Sequence, residues 1–480
     1  MISISFLKNQ RAKPDPECDR HVRNQPLREK FSIQLFLLFG IIAFVFSACD
    51  DKENSTTAAA PFDPGKPVTF TSFSPGLGKI KERVVIKGAN FGNDRSKVQV
   101  FFADDVADRK ATIIGVAGEA IYCIAPRQNP GVNKIKVVIN GGDTIKNAGT
   151  FTYRVTEAVT TLARNITNGT DEGKLSSVNF DYCDGIGYVG NESVIVFDDA
   201  RSRVRYMSVP DNAVINLQSG FRGGKPAVTK DLSTVYAVGK FEPHTIYRYS
   251  KATGWGPSRI GELGKLSTAA ENYVGSLALT DDEQWLYFCS TKGVFGRFRI
   301  QDQKLEIIQN NMNIPISYDN MMSGGYNNYE RLSVLIYHPI QKCFYLSIPS
   351  AFSIYKIDLN GNATSFAGSP NSSAVTDGYL SECAFAMPHG MTVDADGNIY
   401  VTDGSRARGQ SIRKISIHSG YVSTVAGQKI NSLPAETSLV DGLTPAEAIF
   451  RLPRDIAFDG GGAFYIVDGW GRRLRKYAIE

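Results

Sequence analysis

Between residues 157 and 480 the chain repeats itself, and the repetition limits the possible folds more than any other feature. Gly420–Gly427, Asp441-Gly442, Ala448–Phe450, Leu452-Pro453, Phe464–Asp468 and Arg472–Lys476 recur, in order, as Asn362–Gly368, Asp377-Gly378, Ala384-Phe385, Met387-Pro388, Ile399–Asp403 and Ser411–Lys414. A looser copy runs through Thr160–Arg164, Glu172-Gly173, Phe180, Val194–Asp198 and Arg203–Arg205. Between these copies only strand pairs survive: Thr234–Val238 with Thr245–Tyr249, Trp285–Phe288 with Phe295–Arg299, and Phe344–Leu346 with Ser353–Ile357. Short strands, four to a unit and recurring every ~40 to 60 residues, predict a β-propeller, here of six blades. The last unit ends on its third strand, Leu474–Ile479, while a spare fourth strand, Val159–Arg164, precedes the first unit. That N-terminal strand should complete the last blade and remove two open sheet edges.

On those motifs the repeats resemble NHL repeats, with blades five and six the nearest matches. The segment 67–156 reads differently. Short β-branched or aromatic runs (Glu82–Lys87, Val98–Phe102, Ala120–Ala125, Lys134–Asn140, Gly149–Tyr153) alternate with turn signals. About seven strands in a segment of this size fit an immunoglobulin-like β-sandwich. Ser74-Pro75-Gly76, the Lys87–Gly92 turn, Pro126 and Phe151–Tyr153 resemble an IPT/TIG domain, which implies a spacer rather than a chemical site. The expected fold is therefore all-β, a small sandwich followed by a six-bladed propeller.

Ahead of both domains lies an export signal. Arg23, Arg28 and Lys30 lead into the apolar run Phe31–Phe46, and Ser47-Ala48 precedes Cys49. The run is short for a membrane span and has the charge pattern of a secretory signal. Residues 1–48 are read as that signal with an N-terminal extension, and 49–66 as a polar tether. Small residues before a cysteine resemble a bacterial lipobox, with Cys49 the lipidated residue. Asp50, Asp51 and Glu53 resemble the surface-export signal of Bacteroidetes lipoproteins. The resemblance implies a lipid-anchored outer-membrane protein that faces outward.

Removal of residues 1–48 lowers the formal charge from +5 to +2, which provides no basic footprint for nucleic acid. Cys123, Cys183, Cys289, Cys343 and Cys383 are isolated in apolar runs and read as buried free thiols, not as zinc ligands. Neither a metal nor a cofactor is expected.

Strand order places candidate ligand-binding residues on one propeller face. His389 and Arg454 stand at strand-one entries near the channel mouth, with Tyr182, Lys225, Tyr273 and Glu330 or Arg331 at equivalent places. Phe241, His244 and Trp470 lie on the loops joining strands two and three. Tyr326 and Tyr329 lie in an insertion opening on the same face. Trp470, between glycines, is the leading exposed aromatic. Trp255 and Trp285 read as structural, and Asp198, Asp403 and Asp468 as partners of downstream arginines within their blades. Ring faces and amides suit carbohydrate.

Some NHL-type propellers are lyases that hold a metal with several histidines. Outside the signal this chain has His244, His338, His389 and His418, of which only His389 falls at a channel position. A lactonase-like calcium site could draw on Glu330 and Asp455, without a complete set. The expectation is a glycan-capturing surface lipoprotein, accessory to a TonB-dependent outer-membrane transporter. A protein-interaction scaffold and a lyase- or lactonase-like enzyme are the alternatives.

Overall fold

The computed structural model describes residues 60–479 apart from 106, 129, 143–144, 269–271, 315–331, 370–373 and 443. Residues 67–153 build a sandwich of two sheets. One holds Thr69–Ser74, Arg83–Ala89, Ala120–Ile124 and Thr112–Val116. The other holds Val98–Ala103, Gly131–Ile139 and Ile145–Tyr153, with short additions at Leu77–Gly78 and Asp108–Lys110. Period-two alternation does the sorting: Val84 and Ile86 point inward while Arg83 and Lys87 face water. Val100, Phe102, Ile121, Ile135, Val137 and Phe151 fill the space between the sheets, with Phe102 edge-on to Phe151 at 5.1 Å. In the Lys87–Gly92 turn, a Cβ on Gly88 would lie 1.9 Å from the Thr69 carbonyl oxygen, so only glycine allows the two strands to meet there. Asn90, at φ +62°, uses its side chain to bond Asp63 and Lys66. The described end of the segment read as a tether is thus pinned to the sandwich.

The propeller follows as six antiparallel sheets. From the inside outward, blade one is Cys183–Tyr188, Ser193–Asp198, Arg203–Ser208 and Ala213–Ser219. The innermost strands of the other blades are Ala227–Val228, Ala278–Leu279, Val334–His338, Pro388–Val393 and Pro453–Phe458. They touch in cyclic order, blade six against blade one. The outermost strand of blade six is Glu157–Arg164, paired antiparallel with Arg473–Ile479. The first and last strands of the propeller therefore share one sheet, as the repeat pattern predicts.

Second strands such as Ser193–Asp198, Cys343–Ile348 and Ala463–Asp468 are buried along their whole length, because neighbouring blades cover both faces. This explains why they read as unbroken apolar runs rather than alternating ones. Blades one, five and six share an internal clamp. Arg205, Arg413 and Arg475 are fully buried and face Asp198, Asp403 and Asp468. Each guanidinium lies over a phenylalanine: Phe180 at 5.5 Å, Phe385 at 5.2 Å and Phe450 at 4.5 Å. Each also donates to backbone carbonyls of the preceding loop, so it ties inner and outer strands together. These are the intra-blade pairs expected from the sequence. The five described cysteines are free and buried, and burial pushes their thiols above the usual value.

The sandwich meets the propeller at the turns that join strands one and two of blades five and six. Arg109 bonds Asp104, Gln128 and Asp396, and Arg127 lies 5.7 Å over Phe458. Those turns lie on the face opposite the loops that join strands two and three. The face carrying Trp470 is consequently turned away from the sandwich.

Candidate functional site

The axis of the propeller is closed. Four blades carry a glycine in their inner strand or just ahead of it, where they meet their neighbour: Gly185 lies against Gly224, Gly224 against Gly275, Gly275 against Ser333, and Gly390 against Asp455. A Cβ on Gly224 would stand 2.0 Å from the Gly275 carbonyl oxygen, and one on Gly185 would stand 2.1 Å from that of Gly224. The inner strands accordingly draw close together. What remains at the centre is a cavity of about 10 Å³ between Asp184, Lys240, His389 and Arg454, too small for a ligand.

Charged side chains fill that centre. Lys240 is fully buried between Asp184 and Asp199, 2.7 Å from Asp199, and Arg454 Nε donates to Asp184 at 2.9 Å. Arg454 Nη1 lies 2.9 Å from His389 Nε2. Lys225 crosses blade one to reach Asp455 at 2.9 Å, and Asp455 also accepts from the Ile186 N–H. Burial alone would raise the Asp184 carboxyl, but the charges of Lys240 and Arg454 outweigh it and hold Asp184 well below the usual carboxylate range. For Asp455 burial dominates over Lys225, and its carboxyl is raised.

Several expected site residues therefore play other roles. His389 and Arg454 are buried in the plug and are not displayed at a channel mouth; their relative exposures are 1% and 5%. Asp455 spends its oxygens on Ile186 and Lys225, which corrects its reading as a calcium ligand. His244 is fully buried, not carried on an open loop. It lies beneath the Phe241–His244 turn with Nδ1 3.1 Å from the Gly239 carbonyl oxygen, and burial lowers its imidazole value. His338 bonds Gly397 between blades four and five, while His418 is exposed on a turn. Tyr326, Tyr329, Glu330, Arg331 and Cys49 lie outside the described residues.

An open concavity lies off the axis, between blades six and one. Asp181, Tyr182, Asp199, Arg222, Trp470 and Arg472 are among the residues lining a groove of about 640 Å³. Trp470 stands on the loop joining strands two and three of blade six, as the sequence suggests, but is half-buried rather than fully exposed. Its flanking glycines serve packing. A Cβ on Gly469 would meet the Arg454 side chain at 2.3 Å, and one on Gly471 would meet the Asp468 carboxylate at 2.4 Å. The indole is not bare: the Arg406 guanidinium lies 4.3 Å from the ring centre and that of Arg451 lies 5.6 Å away. Arg222 pairs with Asp199 and also lies 5.2 Å over Phe241, which meets Tyr273 edge-on at 5.4 Å. Trp470, Phe241 and Tyr273 therefore follow one arc of the face. Trp255, stacked on Tyr206, is buried as expected.

Sequence reasoning missed Asp184, Asp199, Arg222, Lys240, Arg406, Arg451 and Arg472. The available signal was charge beside glycine at strand ends, as in Asp184-Gly185 and Gly239-Lys240. Among the described residues no group of three or more histidine, cysteine, aspartate or glutamate side chains converges in a metal-binding arrangement.

The IPT/TIG domain model matches residues 67–153 and the NHL repeat model matches residues 385–409. No curated protein matches the sequence. Two solved Bacteroides proteins share the fold at low identity, both described as auxiliary nutrient binding proteins. The one from Bacteroides thetaiotaomicron is 19% identical, with TM-score 0.53, and the match covers 88% of this chain and 99% of that one. The one from Bacteroides ovatus is 22% identical, with TM-score 0.54 and coverage of 88% and 100%. A third structure, a protein of unknown function from Bacteroides thetaiotaomicron, is 42% identical, with TM-score 0.79, over 88% of this chain and 100% of its own. At that identity and coverage, the chain belongs to the family of this Bacteroides thetaiotaomicron protein of unknown function.

Proposed function

We propose that this protein is a surface-exposed, lipid-anchored glycan-binding protein of the outer membrane, accessory to polysaccharide uptake through a TonB-dependent transporter. The groove between blades six and one is the binding site, and the sandwich is the spacer. One observation carries the reading: an aromatic side chain, Trp470, stands in a 640 Å³ groove on the face turned away from the sandwich. Such a placement leaves the groove clear of the domain that leads back to the anchor. Phe241, under the groove residue Arg222, and Tyr273 beside it add aromatic surface on which a sugar ring can stack. The secretory run, Cys49 and the acidic residues after it support the location. That the two Bacteroides fold neighbours are described as auxiliary nutrient binding proteins agrees with a capture role.

The test is affinity electrophoresis of the soluble chain from Ala59 onward, a single compact unit, in gels containing plant, host or microbial polysaccharides. One glycan class should retard the wild type, and Trp470→Ala should abolish the retardation. Absence of retardation across the whole panel would overturn the glycan reading in favour of a protein-interaction face.

A further inference from the structure

The groove holds more cation than its own carboxylates use. Its lining arginines are Arg222, Arg451 and Arg472, and its carboxylates are Asp181 and Asp199. Asp199 is engaged by buried Lys240 and by Arg222, so it offers little further attraction to a ligand hydroxyl or amine. Asp181 has Arg201 at 3.5 Å. Arg472 is held only loosely, 3.9 Å from Asp181 and 3.6 Å from Glu436, with a side chain 40% exposed. These distances exceed those of good charge-assisted hydrogen bonds, so the planar fork of Arg472 can still engage an anion in bidentate fashion.

The indole points the same way. A neutral sugar stacks its C–H face on an open ring, but here the Arg406 guanidinium occupies one face of Trp470 at 4.3 Å. A neutral ligand that stacks on that face must displace the guanidinium. An anionic ligand can bind to it and leave the stack in place, with the ring orienting the guanidinium.

Resting on the glycan reading above, we propose that the ligand is an acidic saccharide, one carrying carboxylate or sulfate groups, with Arg472 and Arg406 as its anion-binding residues and Trp470 as their support. Specificity then comes from charge, and retardation weakens as salt screens it.

The experiment compares retardation by polygalacturonate, alginate, chondroitin sulfate and heparin with retardation by xyloglucan, glucomannan and starch. It uses the wild type, Arg472→Gln, Arg406→Gln and Arg259→Gln. Arg259, on the outer strand of blade two, is 58% exposed and removes the same formal charge away from the groove. Circular dichroism confirms that each variant is folded. The expected result is retardation by acidic chains only, weakened roughly tenfold by either groove substitution, the loss of one charge-assisted contact, and unchanged by Arg259→Gln. Retardation by a neutral glycan that resists salt and both groove substitutions would overturn the acidic assignment and leave the glycan reading standing. Equal weakening by Arg259→Gln would reduce the effect to non-specific charge and overturn the assignment as well. No retardation by any chain would remove both readings.

Discussion

The axis of this propeller and the groove between blades six and one contain the same kinds of residue in opposite states. At the axis, Lys240, Arg454 and Asp184 are buried and pair with one another around a cavity of about 10 Å³. In the groove, arginines and carboxylates line about 640 Å³, with Arg472 at long range from its partners. The difference originates in backbone packing. Gly185, Gly224, Gly275 and Gly390 let the inner strands close on the axis, so charges there can only pair with each other. The loop carrying Trp470 stands away from its neighbour across the groove. In this propeller the small cavity at the axis leaves no room for a ligand, whereas the space between loops of blades six and one does.

That contrast can be broken or sharpened by substitution. The largest loss is expected for Lys240→Met, which removes the buried cation shared by Asp184 and Asp199 and leaves each carboxylate with a single arginine. Breaking a buried pair from one side costs about 3–5 kcal/mol, readable by chemical denaturation at pH 7. The deficit should shrink in acid. In the wild type the folded value of Asp184 lies below 3.8, so its stabilisation is complete above that pH and is lost as pH falls through the folded value. Without Lys240 the folded value rises, and acid relieves the penalty. A deficit constant from pH 7 to pH 3 would contradict the assignment of Lys240 as a plug cation.

Next is Trp255→Ala, expected to cost about 3–5 kcal/mol because the ring is buried against Tyr206. Smaller again is Gly224→Ala. Its Cβ would lie 2.0 Å from the Gly275 carbonyl oxygen and force two inner strands apart, a strain of about 1–3 kcal/mol. Gly76→Ala, with no heavy atom within 4 Å of the added Cβ, should stay within about 0.5 kcal/mol in the same thermal melt. Equal melting temperatures for the two alanine variants would remove the glycine account of the closed axis. The smallest effect on stability belongs to Trp470→Ala, at about 1 kcal/mol or less, since the ring is only half-buried. A loss as large as that for Trp255→Ala would make Trp470 a core residue and not a site residue.

The ring, its closing strand and the intra-blade arginine clamps were legible because each is local or repeats. Asp403 and Arg413 sit on adjacent strands of one unit, so the repeat itself pairs them. The plug was not legible, because its pairs cross the ring: Arg454 reaches Asp184 270 residues away, and Lys225 reaches Asp455 230 residues away. No spacing rule connects such residues. His389 shows how this misleads, since its strand-entry position is read correctly while its burial depends on an arginine from the next blade. Trp470 was readable as a candidate from its exposed-loop position. Its arginine cover was not, because Arg406 arrives from the corresponding loop of blade five.

The most direct test of the off-axis site sets His389→Gln beside Trp470→Ala in affinity electrophoresis on the glycan that retards the wild type. An off-axis site predicts that Trp470→Ala loses retardation while His389→Gln keeps it within about twofold, a change worth well under 1 kcal/mol. Loss with His389→Gln and retention with Trp470→Ala would place the ligand at the axis and contradict the account.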